Sequence, residues 1–266
     1  MGNRDRFRAL GGAVIVVAIA MPAAAGTVIT SADSVGFKSA LYLEPDRVRI
    51  ETQTGGVTFG ADRNNPSHGQ IDTRSMDTNV TIYRTDQNTV YMLTPREKKF
   101  QRITQQKMRK LAAAMAKADP HLRQAEIENA RSPPAIEYRR LERASYGKWP
   151  CGRVVQLVDG RPNWEKCVAS LSDLGLTEAD LRAYRRYREF WLTLPRVVFY
   201  FLSQDAGGPP WDFREADKLL GYPSLPVHST IRGAPGKTVQ SIEKKAIDPA
   251  LFEVPADYRE QPDWLP

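Results

Sequence analysis

Val80–Ile103, VTIYRTDQNTVYMLTPREKKFQRI, decides the fold class of this 266-residue chain. Three runs rich in β-branched and aromatic residues, Val80–Tyr83, Thr89–Leu93 and Lys99–Ile103, are cut by Asp86-Gln87-Asn88 and by Pro95-Arg96-Glu97. Neither connection has room for a crossover helix, so neighbouring strands pair antiparallel. The stretch reads as a β-meander.

Upstream of it, Thr27–Thr30 reads as an opening strand, and Phe37–Leu43 with Arg47–Thr54 as a hairpin across Glu44-Pro45-Asp46. Alternation places Phe37, Leu41 and Leu43 on one face of the first hairpin strand. On the second it sets Val48 and Ile50 against Arg47, Arg49 and Glu51, giving one buried face and one wet face. Gly55–Met76, rich in Gly, Asn, Asp and Ser, reads as a long connection with a short strand at Val57–Phe59.

Downstream, the hydrophobic period changes. Thr104 can cap a helix carrying Met108, Leu111, Ala112 and Met115 on one stripe, interrupted near Pro120 and ending before Pro133-Pro134. That stripe is rich in Ala and Met without Trp or Phe, which favours packing on a sheet over lying on a membrane. Ile136–Ala144 fits a polar strand or a short helix. Thr177 caps a second helix with Glu178 and Asp180 in its first turn and Leu181, Tyr184, Tyr187, Phe190, Trp191 and Leu194 along it. This is the most aromatic segment, and rings at such spacing read as core. Val227–Arg232 and Lys237–Ile247 flank the turn Gly233–Gly236, and the tail from Leu251 reads as irregular.

Val154–Val158 and Arg161–Val168 form a hairpin about Asp159-Gly160. A three-residue loop, Val158–Gly160, would set Cys151 opposite Cys167, and Pro162 makes the second strand an edge. These are the only two cysteines. In an oxidising compartment such a pair is a disulfide, which contributes on the order of 3 kcal/mol through the closed loop.

The first 25 residues point to that compartment. Arg4, Arg6 and Arg8 precede the apolar run Leu10–Met21, and Ala23-Ala24-Ala25 is a small-residue cleavage pattern before Gly26. The apolar run is shorter than the roughly 18 residues of a spanning helix, so residues 1–25 read as a signal peptide. Residues 26–266 then form a single antiparallel-sheet domain, periplasmic, without a transmembrane span, carrying helical insertions near 104–131 and 177–203. The formal charge of +7 falls by two when three arginines and one aspartate leave with the leader. With export, no nucleic-acid partner is expected for the remaining basic excess.

No catalytic constellation stands out. His68, His121 and His228 are far apart in sequence, and no G-x-S-x-G elbow, P-loop or G-x-G-x-x-G follows a strand, so neither a cofactor nor a metal is expected.

LYLEPDRVRIE (Leu41–Glu51), TIYRTDQNTVYMLTPREKKFQRIT (Thr81–Thr104) and FEVPADY (Phe252–Tyr258) resemble bacterial envelope proteins of the domain-of-unknown-function type. Their pattern is similar to that of the LolA/LolB-type lipoprotein carriers of the periplasm. The resemblance implies an α+β fold, a curved antiparallel sheet or half-barrel with packed amphipathic helices, whose apolar concave face receives acyl chains. Phe37, Leu41, Val48, Ile50, Val80 and Ile82 are the expected lining of that face. The partners expected are a lipid, a lipoprotein or an apolar envelope segment, and the expected function is non-enzymatic. The alternative is a structural or interaction protein of the envelope with a closed core. The exported product is expected to begin at or near Gly26, which N-terminal sequencing of the periplasmic fraction would show; an intact Met1 in a membrane fraction would refute it.

Overall fold

The computed structural model describes residues 25–34, 36–58, 70–118, 124, 127, 131–194, 211–231 and 233–262. In chain order they form β1 (Ala25–Asp33), β2 (Lys38–Leu43), β3 (Arg47–Thr58), β4 (Gln70–Arg84), β5 (Thr89–Thr94), β6 (Lys99–Ile103) and α1 (Gln105–Ala118). There follow β7 (Ile136–Tyr146), β8 (Trp149–Val158), β9 (Arg161–Ser170), α2 (Glu178–Leu192), α3 (Phe213–Leu220), β10 (Ser224–Ile231), β11 (Ala234–Ala246) and β12 (Arg259–Glu260).

All twelve strands belong to one curved, unclosed sheet in the order β12-β6-β5-β4-β3-β2-β1-β11-β10-β9-β8-β7. Every pairing is antiparallel except β12 against β6. The expected meander is β4-β5-β6, joined as anticipated by Asn88 in the left-handed region (φ 45°) and by a 3₁₀ turn at Pro95–Glu97. β1 pairs with β2 on one side and with β11 on the other, so the first strand lies inside the sheet and joins its two halves.

The segment expected to be a long connection is partly strand. β3 runs on to Thr58 and β4 begins at Gln70, paired as Thr58↔Gln70 and Val57↔Ile71, so Val57 continues β3. Phe59 lies outside the described residues. Ile136–Ala144, open to two readings in sequence, is the edge strand β7; Arg139, Arg140, Glu142 and Arg143 line it. Charge on a free edge discourages addition of another chain, which accounts for its polar composition.

Cys151 and Cys167 stand at disulfide distance, with Cα atoms 5.4 Å apart. The register differs from the expectation. Asp159 (φ 49°) and Gly160 (φ 74°) form a two-residue turn between Val158 and Arg161, the type I′ geometry whose twist matches that of the strands. A register shift follows between Gln156 and Leu157, so Cys167 lies opposite Arg153 and the sulfurs meet diagonally. Nor is β9 an edge strand, since β10 pairs with its other side. Pro162 is tolerated because that pairing reaches only as far as Trp164, leaving Pro162 where β9 has β8 alone as neighbour.

The helices cover one face. Thr104 Oγ1 accepts from the Lys107 amide, capping α1 as expected, and α1 buries Met108, Leu111 and Ala112. α2 begins with a capping box in which Thr177 and Asp180 each accept from the other's backbone amide, and it buries Leu181, Ala183, Tyr187 and Phe190. Tyr187 and Phe190 meet Tyr83 of β4 with ring centroids 5.7 and 5.9 Å apart. The expected helical continuations beyond Ala118 and Leu194 fall almost wholly outside the described residues.

The other face is not wet over β3–β6. Val28, Val80, Ile82, Leu93, Ile247 and Phe252 form a second core there, with Tyr91, Phe100, Leu251 and Tyr258 packed around it. The tail, expected to be irregular, supplies this cover through a 3₁₀ turn at Pro249–Phe252, capped by Asp248, and then β12. Arginines of the sheet hold it: Arg49 donates to the Leu251 carbonyl at 2.7 Å, Arg84 to Glu253 at 2.6 Å, and Arg47 lies over the Phe252 ring at 5.3 Å. Phe252 is 1 % exposed. Phe252→Ala should therefore destabilise the protein by about 3–5 kcal/mol, as for a buried aromatic, read as a lower midpoint of urea unfolding; a tail that merely rests on a solvated face would give no such shift.

Candidate functional site

Strand pairing fixes which expected lining residues share a surface, because directly opposed residues lie on the same face. Leu41 opposes Ile50, Leu43 opposes Val48, and Val48 opposes Tyr83, so all of these belong to the helix-covered face. Val80 opposes Glu51 and Leu93, and Ile82 opposes Arg49 and Tyr91, which puts both on the far face against the tail. They are not part of a lining with Val48 and Ile50. Both faces of β4 carry large core side chains, Tyr83 on one and Val80 and Ile82 on the other, so alternation alone does not assign them. Phe37 is half-buried just before β2 and belongs to neither core cluster; Val48 is wholly buried in packed core.

Leu41 and Ile50 do line a cavity. It measures about 230 Å³, lies between the helix-covered face at β1–β3 and β9–β11 and the helices α2 and α3, and is partly open to solvent. Ile29, Leu41, Ile50, Phe213, Leu225 and Val239 give it an apolar wall. Lys166 of β9, Arg188 of α2 and Lys237 of β11 supply cations, Ser31, Ser39 and Ser229 supply hydroxyls, and among the described residues no carboxylate borders it. A shallower groove of about 600 Å³ lies at the β7–β8 end, bordered by Arg143, Cys151, Ser170, Asp173 and Tyr222 among others.

Lys166 reaches the cavity because it opposes Val154 and Ser229, on the parity of β9 that also carries Trp164 and Val168. Its ammonium lies 4.8 Å from the ring centroid of Trp164 and 4.9 Å from that of Trp211. The side chain keeps some accessible surface, yet burial of its ammonium, with Arg188 adding like-charge repulsion, holds its pKa well below the usual lysine range. Burial likewise pushes the Tyr187 hydroxyl up to about 12. Behind Trp211, a polar chain is internally satisfied: Asn163 donates to Gln156, Gln156 donates to the Tyr138 hydroxyl at 2.8 Å, and the Asp212 amide donates to the same oxygen.

His228 borders the cavity, but its ring is engaged elsewhere. It stacks on Tyr146 with centroids 3.8 Å apart and shares a hydrogen bond with Thr238 Oγ1. His68 and His121 lie outside the described residues. Among the described residues no three His, Cys, Asp or Glu side chains are grouped to hold a metal, and no helix is long and apolar enough to cross a membrane.

The sequence reading missed Lys166, Arg188 and Lys237. A signal existed for the first: in WEKCV, Lys166 shares strand parity with Trp164 and Val168, an apolar face in which a lysine is out of place. Comparison with family models, with curated proteins and with solved structures gave no match.

Burial lowers the pKa of His228 from its usual 6.5, while Glu165 opposes the shift. The unfolded chain therefore takes up this proton first. The stability it represents is complete above pH 6.5 and is lost as pH falls from there through the lower folded value. Urea midpoints measured from about pH 7.5 to about pH 5 should fall less steeply for His228→Gln than for the parent; equal slopes would show that His228 carries none of the acid sensitivity.

Proposed function

We propose that this chain is an exported, periplasmic, non-enzymatic protein that binds an amphiphile between its sheet and its helices. The observation that carries the reading is the cavity, in which an apolar wall stands across from a cationic one. A molecule with a hydrocarbon part and a polar end matches both walls, and a purely apolar molecule would leave the cations desolvated. The paired cysteines support an oxidising compartment, and the basic-then-apolar start of the chain supports export. An open antiparallel sheet with helices across one face is the layout that the likeness to the LolA-type carriers implies.

One observation favours the alternative, an envelope interaction protein with a closed core. At about 230 Å³ the cavity lies below the roughly 300–1,000 Å³ of most ligand pockets, and much of the same face is fully packed. A bound amphiphile is therefore short or single-chained, or extends out through the opening.

Two variants separate these readings. Leu41→Trp places a larger ring where there is space, and is expected to stay folded and to lose amphiphile that co-purifies with the parent, measured by native mass spectrometry and solvent extraction of protein from the periplasm. Ile82→Trp overpacks the tail-covered core, where Ile82 is 0 % exposed, and is expected to lose about 1–3 kcal/mol of stability while its folded fraction carries the same load. A folded Leu41→Trp protein with an undiminished load would overturn the cavity as the binding site.

A further inference from the structure

Several donors in and beside this cavity have no acceptor in the protein among the described residues. Among the described residues Lys166 has aromatic rings against its ammonium but no carboxylate, carbonyl or hydroxyl partner. Arg188 Nε is buried without an acceptor, as are the indole N–H groups of Trp164 and Trp211, the two rings that face Lys166. A buried donor left unpaired costs about 1–3 kcal/mol, more for a charged one, so this grouping is unfavourable by itself. Lys166 and Arg188 also repel each other across a site with no carboxylate on its border among the described residues. Unpaired nitrogens occur elsewhere too, at Arg185 Nε and Nη2 among others, but Arg185 meets a carboxylate, Asp217, at 2.7 Å, as Lys244 meets Asp180 at 3.1 Å. What the Lys166–Arg188 pair lacks is a negative charge carried on acceptor oxygens.

We propose that Lys166 and Arg188 form a receptor for an oxyanion, a carboxylate or phosphate, borne on the polar end of the amphiphile whose chain lies along Leu41 and Ile50. This rests on the amphiphile-binding reading and specifies its ligand class. An oxyanion accepts from both cations and neutralises their repulsion, and charge-assisted bonds in a desolvated site are the strong ones. The Trp164 and Trp211 rings hold the ammonium in place with no anion from the described residues, which leaves the position free for one from outside. The desolvated state of Lys166 agrees with a site that is electrostatically incomplete until occupied.

The probes are decanoate, decanol, and the chainless anions acetate and inorganic phosphate, titrated calorimetrically into delipidated protein. Decanoate is expected to bind at least about tenfold more tightly than decanol, and Lys166→Met and Arg188→Met are each expected to remove about tenfold of that preference, weakening decanoate far more than decanol. Lys166→Met is further expected to melt no lower than the parent without ligand, since it removes a desolvated charge. Equal affinity for decanoate and decanol would overturn the oxyanion receptor and leave amphiphile binding standing. Binding of phosphate or acetate, lost in Lys166→Met, with no binding of either decyl compound would overturn the amphiphile reading and keep the anion receptor alone. A Lys166→Met protein that melts lower and loses decanol and decanoate affinity alike would show that Lys166 is a packing residue, overturning its role as receptor.

Discussion

A strand with apolar side chains on both faces has to be covered twice, and β4 is such a strand. Tyr83 looks toward α2, where Tyr187 and Phe190 meet it, while Val80 and Ile82 look the other way. Helices cannot serve both sides, because α1, α2 and α3 contribute to one cluster only. The second cover comes from the last stretch of chain, and the outward arginines of β3 and β4 give it a fixed seat. With the tail and Phe252 packed on the far face, the cavity lies on the helix side, between α2 and α3 and the strands near Leu41 and Ile50.

The local devices were legible in the sequence because each depends on a few neighbouring residues. The Thr104 and Thr177 caps, the stripe of Met108 and Leu111, and the breaks at Asp86-Gln87-Asn88 and Pro95-Arg96-Glu97 all appear where side-chain chemistry puts them. What depends on distant partners was not legible. Whether Ile82 faces helix or tail is set by its pairing with Arg49 and Tyr91 and by a tail that begins more than 160 residues later. The diagonal cysteine pair follows from a register shift at Gln156 that no turn rule contains. The cationic wall draws on β9, β11 and α2, three elements separated in sequence, so its residues read singly as ordinary surface charge.

Polar groups inside this protein follow two regimes. The chain from Asn163 through Gln156 and Tyr138 to the Asp212 amide is closed on itself, with each member donating or accepting within the protein. A few ångströms away, on the other side of Trp211, Lys166 and Arg188 are left open. A satisfied network fixes α3 against β7 and β8 and makes that corner rigid. The open pair costs stability, and natural proteins retain such costs where a task requires them. The contrast within one corner of the fold is what the proposed receptor draws on.

The position of β1 has a consequence for the order in which the molecule can be assembled. Thr30 and Ser241 bond across the joint between the two halves although 211 residues separate them. Until residues 234–246 are available, one whole side of β1 offers unpaired amides and carbonyls. A chain delivered from its N-terminus, whether from a ribosome or through a membrane pore, carries that adhesive edge for nearly its entire length. The last strands to arrive are the ones that close it, so joining of the two halves is a late event, and a truncation upstream of β11 leaves two part-sheets and a template for aggregation.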